Sequence, residues 1–131
     1  MAAGLLDTSV VIDWHDPSIA DKLPDDFAIS AITAAELTAG PLLATTPAEA
    51  ARRQSRLQEV ESLLEPIPFD ATASRSYGLV VAGVVSAGRK PRSRVADLLI
   101  AATAHANGLD RYSRNPDDFH GLADLIRVVA V

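Results

Sequence analysis

Short apolar segments alternate with longer segments of helical periodicity along this chain. Such alternation is typical of α/β proteins that contain a parallel sheet, and we expect that fold class here. Strands are predicted at Ala3–Leu6, Phe27–Ser30, Asp110–Ser113 and Asp124–Val129, with a short extended segment at Pro66–Phe69.

The segments between these strands end at recognisable capping residues. Thr46 precedes Pro47, a pair typical of a helix N-terminus, and Gly108 follows an alanine-rich segment as a C-terminal glycine would. The alanines between positions 96 and 106 favour close helix–sheet packing, so we expect that helix to be central. One helix is predicted to begin near Thr8–Ser9, and a second to span Thr33–Leu43 with a break near Gly40-Pro41. A third is predicted to begin after a Thr46 cap and to end at Leu64. The last two are Ala71–Ser86, capped by Asp70, and a helix that runs from a Ser93 cap to Asn107.

The composition narrows the class of protein. With 131 residues and no cysteine, the chain fits a single domain over residues 1–131 without disulfides or zinc–thiolate sites. The N-terminus lacks the basic region of a signal peptide, and no apolar segment approaches the roughly 18 residues of a membrane span. We therefore expect a cytoplasmic protein that does not associate with membranes.

Acidic residues stand at the edges of the apolar segments. Asp7 follows the first strand, Glu36 follows the second, Asp97 lies just inside the alanine-rich helix, and Asp117 and Asp118 follow the third strand. Ligands bind at the carboxyl ends of strands in open α/β sheets, which three of these four positions follow. Carboxylates that meet there repel each other, and Mg²⁺ or Mn²⁺ is the hard cation that suits them best. The sequence therefore predicts a metal site at this edge of the sheet.

Each acid also has an ordinary structural explanation. Asp7 is typical of an Asx turn or a helix cap. Glu36 completes a capping box with Thr33, and Asp97 would interact favourably with a helix dipole. The segment Asn115–Asp118 has the N-cap, proline and acidic first turn of a helix start. These structural explanations stay open for each position taken alone.

The basic residues are clustered although the formal net charge of −5 does not indicate a nucleic-acid binder. The clusters are Arg89, Lys90, Arg92 and Arg94, and Arg111 with Arg114 near the last acidic pair. A basic patch beside carboxylates suits a phosphate-bearing substrate, whose backbone it would position without reading bases. A solvated loop that happens to be basic is an equally open alternative.

Four segments resemble the successive motifs of PIN-domain ribonucleases. They are Asp7–Asp13, Ile29–Gly40, Asp97–Ala104 and Tyr112–Phe119. Their order and spacing, and the total length, resemble the VapC toxins of type II toxin–antitoxin systems over essentially the whole chain. The resemblance implies a three-layer α/β/α fold whose central, mostly parallel sheet has about four to five short strands.

The resemblance further implies an endoribonuclease in which carboxylate-bound Mg²⁺ or Mn²⁺ activates water. The implied catalytic residues and metal ligands are Asp7, Glu36, Asp97 and one of Asp117 and Asp118, of which Asp118 fits the toxin pattern better. Asn115 stands where many relatives carry the fourth acid. The implied supporting residues are Ser9, Ser113 and Asn115. The clustered basic residues are the candidate RNA-backbone contacts: Arg89, Lys90, Arg92, Arg94 and Arg114. Replacing Asp7 or Asp97 by Asn is expected to abolish cleavage and to leave the fold intact or more stable, because repulsion is relieved.

The partners implied by the resemblance are an RNA substrate, a cognate VapB-type antitoxin and a second copy of the chain. We expect a homodimer that forms a heterotetramer or larger complex with the antitoxin, which would block the acidic pocket with an Arg or Lys side chain. The apolar stripe of the predicted helix that ends at Leu64 either packs on the sheet or forms half of a groove for a partner helix. That stripe consists of Leu57, Val60, Leu63 and Leu64.

Two other functions remain open. One is a non-catalytic PIN-like module that binds RNA or protein. The other is a phosphatase-like enzyme with Asp7 as nucleophile, although Ser9 stands where such enzymes carry a second aspartate. The histidines at positions 15, 105 and 120 are expected to be structural or superficial, and the aromatic residues Trp14, Tyr77 and Tyr112 to serve in packing.

Overall fold

A computed structural model describes residues 3–116 and 121–131. The strands are β1 (Ala3–Leu6), β2 (Asp26–Ala28), β3 (Asp110–Ser113) and β4 (Val128–Ala130). The helices are α1 (Thr8–Val11), α2 (Pro17–Ala20), α3 (Ala31–Leu43), α4 (Pro47–Leu63), α5 (Ala71–Ser86) and α6 (Val95–Ala106), with a 3₁₀ turn at Pro91–Arg94 before α6.

The four strands form one parallel sheet in the order β2-β1-β3-β4. Leu5 of β1 pairs with Ala28 on one side and with Arg111 on the other, and Tyr112 of β3 pairs with Val129. Since all strands point the same way, their carboxyl ends meet at one edge. The prediction of an α/β fold with a parallel sheet is confirmed.

Helices cover both faces of this sheet. Leu5 faces a core that includes Val80 of α5 and Ala101 of α6. The next residue, Leu6, points to the opposite face and packs with Val10 of α1 and Val60 of α4. Alternate residues of a strand point to opposite faces, so β1 is buried on both sides and carries an uninterrupted apolar sequence. The result is the three-layer arrangement that the resemblance implied.

Helix α6 is buried along its central part, as its alanines predicted. The consecutive residues Ile100–Ala104 are all buried. Their small side chains let α6 lie close to the sheet and to α5, and this fixes the position of the first turn of α6 at the carboxyl edge. Gly108 follows with a φ of +63°, which confirms it as the glycine that ends the helix.

Two predicted caps are wrong. The N-cap of α3 is Ser30, whose Oγ accepts a hydrogen bond from the Thr33 amide at 3.0 Å, so Glu36 is not part of a capping box with Thr33. The Ser93 hydroxyl donates to the Lys90 carbonyl instead of capping α6, which begins at Val95 after the 3₁₀ turn. Helix α3 thus begins two residues earlier than predicted and is capped by Ser30, whereas α6 has no side-chain cap.

The predicted break in α3 and the predicted bounds of two strands also need correction. Helix α3 continues through Pro41 to Leu43, because a proline in the last turn removes only one hydrogen bond from the helix. Strand β2 ends at Ala28, and β4 covers Val128–Ala130 where the sequence suggested 124–129. Among residues 3–116 and 121–131, no helix has the length and apolar character needed to cross a membrane.

Candidate active site at the carboxyl edge of the sheet

Asp7 lies where β1 ends and α1 begins. Its amide donates to the Tyr112 carbonyl at 3.0 Å, which extends the pairing of β1 with β3 to the edge of the sheet. Its Oδ1 accepts hydrogen bonds from the Ser9 hydroxyl and, at 3.3 Å, from the Val10 amide. Asp7 is therefore the N-cap of α1, as one of the structural explanations required, and its buried carboxylate is held in a single orientation.

Asp97 is placed by the first turn of α6. Its side chain is 45 % exposed and opens to solvent. Its carbonyl oxygen accepts a hydrogen bond from Nη1 of Arg111 at 2.7 Å, and its Oδ1 lies 3.5 Å from Nη2 of the same residue. The acid near the start of the alanine-rich helix therefore does reach the edge where Asp7 lies.

Arg111 joins the two acids. Its side chain is fully buried, at 0 % exposure, and its Nε lies 3.4 Å from Oδ2 of Asp7. Burial lowers the pKa of Arg111, while the charges of Asp7, Asp97 and Glu36 act in the opposite direction. An arginine stays protonated in proteins, so the guanidinium is a permanent cation among three candidate acids.

The prediction that Arg111 and Arg114 form one basic patch is wrong for Arg111, because its side chain is buried. The local pattern of β3 does not show this burial, because it cannot say whether a long basic side chain in a strand reaches solvent or lies beneath a helix. Once buried, the guanidinium needs carboxylate partners.

Glu36 reaches the site from α3 and is exposed. The Thr8 hydroxyl donates to its Oε1 at 2.6 Å, and the same hydroxyl lies 3.1 Å from that of Thr33. Thr8 thus connects α1 to α3 beside Asp7. Thr8 is not among the predicted site residues, although its place directly after Asp7 was a usable signal.

The carboxylates are not gathered as a three-ligand cluster. Within the described ranges, no group of three acidic or histidine side chains stands close enough to hold a metal ion. Mg²⁺ usually binds only one or two protein carboxylates and completes its shell with water and phosphate, so the oxygens of Asp7 and Asp97 fit its chemistry. Asp117 and Asp118, the candidates for a fourth acid, lie outside the described residues. The predicted ligand set and the predicted need for Mg²⁺ or Mn²⁺ stay predictions.

The supporting residues have different partners. The Ser9 hydroxyl donates to Asp7 and accepts from the Arg114 amide at 3.1 Å. The buried Ser113 hydroxyl accepts from the Asn115 amide at 2.9 Å, and this contact shapes the segment that follows β3. Arg114 reaches back to Asp13 with an Nη1–Oδ2 distance of 2.7 Å. Ser9 is thus the one of the three that contacts a candidate ligand in the described part of the chain.

The basic segment before α6, residues 89–94, is only partly exposed to solvent. Lys90 and Arg92 are exposed, whereas Arg89 and Arg94 are partly buried. The 3₁₀ turn carries Arg92 directly into the first turn of α6, where Asp97 lies. Exposed cations are therefore close in the chain to a candidate metal ligand.

A groove of about 370 Å³ opens beside Glu36 between α1, α3 and α4.

The apolar stripe of α4 mostly packs toward the sheet, since Leu57 and Val60 are buried, but Leu63 is exposed. The alternative in which the whole stripe forms a groove is wrong for the two buried residues.

The described histidines and aromatic residues agree with the structural roles expected of them. His105 is hydrogen-bonded to Ser76 of α5 at 2.8 Å, and His15 lies 2.7 Å from Glu59 of α4. Trp14 and Tyr112 belong to the core. His120 lies outside the described residues.

Comparisons with known proteins place this arrangement in context. The PIN domain family profile matches residues 4–125. The chain is 36% identical over 134 residues to Ribonuclease VapC5 of Mycobacterium tuberculosis, covering 97% of this chain and 96% of that protein. It is 36% identical over 126 residues to Ribonuclease VapC4 of the same organism, covering 92% of each.

Solved structures agree with the sequence relatives. The crystal structure of VapBC-5, a toxin–antitoxin system from Mycobacterium tuberculosis, superimposes with a TM-score of 0.81 at 32% identity over 100% of both chains. That of FitAcB from Neisseria gonorrhoeae gives a TM-score of 0.77 at 29% identity, covering 95% of this chain and 94% of that one.

Proposed function

Because the chain belongs to the VapC branch of the PIN-domain family, we propose that it is a Mg²⁺- or Mn²⁺-dependent endoribonuclease toxin. The observation that carries the proposal is the meeting of acids from separate elements at one edge of the sheet. Arg111 lies between two of them, with its Nε 3.4 Å from Oδ2 of Asp7 at the end of β1 and its Nη2 3.5 Å from Oδ1 of Asp97 in α6. Glu36 of α3 is tied to the residue after Asp7, because the Thr8 hydroxyl donates to its Oε1 at 2.6 Å. Convergence at the carboxyl edge is what a hydrolytic site in this fold requires.

The chain's own groups divide the work of hydrolysis. Asp7 is fixed by Ser9 and the Val10 amide, so it offers a preset oxygen, while Asp97 faces solvent where a phosphate arrives. Glu36 is more exposed than Asp7 and would take the proton that water loses as its oxygen bonds to phosphorus. The leaving oxygen of the P–O bond that breaks would take a proton from solvent. A bound Mg²⁺ or Mn²⁺ held by Asp7 and Asp97 would lower the pKa of water and polarise the phosphate.

RNA approaches along the basic segment in this proposal. Lys90 and Arg92 are exposed directly before α6, so they meet backbone phosphates next to Asp97. Contacts of this kind position a strand without reading its bases. They also offset the net charge of −5, which would otherwise repel RNA.

A cognate antitoxin is part of the proposed function. The relatives of known structure at 32% and 29% identity are named as the VapBC-5 toxin–antitoxin system and as FitAcB. A free nuclease would damage its own cell, so we propose that this chain pairs with a small inhibitor that inserts an Arg or Lys side chain among Asp7, Glu36 and Asp97. Charge-assisted hydrogen bonds to carboxylates would supply the affinity.

The direct test compares RNA with a small phosphomonoester as substrate, each with EDTA or with added Mg²⁺. We expect RNA cleavage only with Mg²⁺ or Mn²⁺, and we expect Asp97→Asn protein to lose at least about a hundredfold in rate. Asp97 is the suitable position because its half-exposed side chain lies outside the apolar core. Full cleavage in EDTA would overturn the metal requirement, and folded protein that binds but never cuts RNA would favour the non-catalytic module.

A further inference from the structure

Arg111 is a charged residue in a place that normally holds an apolar one. It occupies the middle of β3, pairs with Leu5 and Val128, and lies on the face of the sheet that packs against α6. Its side chain has no exposed surface. Taking a guanidinium out of water costs several kcal/mol, so a buried arginine persists only with well-placed partners.

The partners of Arg111 are the proposed metal ligands. Nε faces Oδ2 of Asp7 at 3.4 Å, Nη2 faces Oδ1 of Asp97 at 3.5 Å, and Nη1 donates to the Asp97 carbonyl at 2.7 Å. The other oxygen of Asp7 is already held by Ser9 and the Val10 amide. Both oxygens of Asp7 therefore have partners before any metal arrives.

We propose that Arg111 is a resident cation of the acidic pocket, which holds Asp7 and Asp97 together in the metal-free protein and competes with divalent metal for them. This inference rests on the proposed metal-dependent function. Arg111 is a positioning residue, since its fixed donors orient both carboxylates. The same positive charge disfavours a second cation a few ångströms away, so metal binds more weakly than Asp7 and Asp97 alone would bind it.

A purely structural role predicts something different. If Arg111 only filled space under α6, replacing it would change stability and leave metal affinity unaltered. If it is the counterion of the pocket, removing its charge should destabilise the metal-free protein and tighten metal binding. The two effects have opposite directions, which a general loss of structure cannot imitate.

The experiment measures Mn²⁺ binding by isothermal titration calorimetry without RNA, and thermal unfolding with and without Mn²⁺. We expect Arg111→Met to lower the melting temperature of the metal-free protein and to tighten the Kd for Mn²⁺ by about tenfold or more. Arg111→Lys keeps the charge and should retain nearly the wild-type Kd. Arg111→Gln also removes the charge and keeps an amide donor for the Asp97 carbonyl. If the methionine variant does not fold, the Mn²⁺ Kd of the glutamine variant is compared with that of the wild type instead.

The matched control is Arg127→Met. Arg127 is exposed, pairs with Asp110 at 3.7 Å and precedes β4, at the edge of the sheet opposite the acids. The Arg127→Met protein should bind Mn²⁺ with the wild-type Kd. An unchanged or weaker Kd in both neutral Arg111 variants would overturn the inference while leaving the proposed function in place. Absence of Mn²⁺ binding in every variant, including wild type, would overturn both.

Discussion

Asp7 joins two interactions that a substitution can separate, because its Oδ1 caps α1 while its Oδ2 faces Arg111. Asparagine is as good an N-cap as aspartate, so Asp7→Asn removes the ion pair and keeps the cap. The sequence had suggested that Asn would leave the fold intact or more stable through relief of repulsion. The buried ion pair reverses that expectation for this position.

We predict that Asp7→Asn lowers the free energy of unfolding of the metal-free protein by about 2 kcal/mol or more, since a buried guanidinium loses a counterion. Asp97→Asn should change it by less than about 1 kcal/mol, because that carboxylate is half exposed. Urea unfolding monitored by circular dichroism measures both. Equal effects of the two substitutions would contradict the role of the Asp7–Arg111 pair.

The candidate site shows which residues a sequence can reveal. Asp7 was predictable because a carboxylate directly after a buried strand is placed by the fold alone. Arg111 was not, because the local pattern cannot say whether a long basic side chain in a strand reaches solvent or runs beneath a helix. Its burial depends on Asp97, which is distant in sequence and meets it only in the folded chain.

At the scale of elements, α5 contains two glycines in different surroundings. A Cβ built on Gly83 would lie 2.7 Å from the Gly121 carbonyl oxygen, whereas one on Gly78 would meet nothing within 4 Å. Alanine is favoured over glycine inside a helix by about 1 kcal/mol, so the two positions separate helix propensity from packing.

We predict that Gly78→Ala stabilises the protein by about 0.5–1 kcal/mol and that Gly83→Ala destabilises it by about 1–3 kcal/mol, because overpacking against backbone outweighs propensity. Thermal unfolding of the two variants gives the comparison, each serving as the control for the other. A stabilised Gly83→Ala protein would mean that the segment around Gly121 moves away without cost.

The basic segment before α6 gives a prediction about RNA. Changing Lys90 and Arg92 to Ala should weaken RNA binding and reduce the slope of log K against log salt by about 1.4, at about 0.7 for each lost phosphate contact on a single strand. The control pair is Lys22 and Arg127, which are exposed and precede strands at the opposite edge of the sheet. Equal slopes for the two double variants would show that the segment is merely solvated.

Element boundaries were predictable where the signal is local. Asp70, Thr46 and Gly108 end or begin helices as their residue types require, through contacts within a few positions. The segment Pro91–Arg94 was not predictable as a 3₁₀ turn, and β4 lies later than expected. Both depend on what they pack against, and short apolar runs near the end of a chain carry no periodicity that fixes a strand's limits.

At the scale of the whole molecule, topology follows from the alternation of strands and helices. Parallel neighbours need crossover connections, and here the first leads from β1 to β2 on one side while the second returns past β1 to β3 on the other side, so β1 lies between β2 and β3. That arrangement brings Asp7, Glu36 and Asp97 to one edge although ninety positions separate the first from the last. The acids could therefore be grouped from sequence, while their distances could not.

The end of α3 offers a surface for assembly. Leu42 and Leu43 at the end of α3 are 85% and 73% exposed, and adjacent leucines this exposed are typical of a surface that another chain covers. A second copy related by a two-fold axis is the commonest arrangement. Light scattering at micromolar concentration should give the mass of a dimer, and changing both residues to Gln should shift the protein toward monomer. Leu79→Gln, at an exposed position of α5, is the control that should leave the mass unchanged. A monomeric mass for the wild-type protein would overturn the predicted homodimer. The antitoxin is tested separately, by co-expression with the neighbouring gene, and toxicity that persists although the product of that gene is well expressed would count against it.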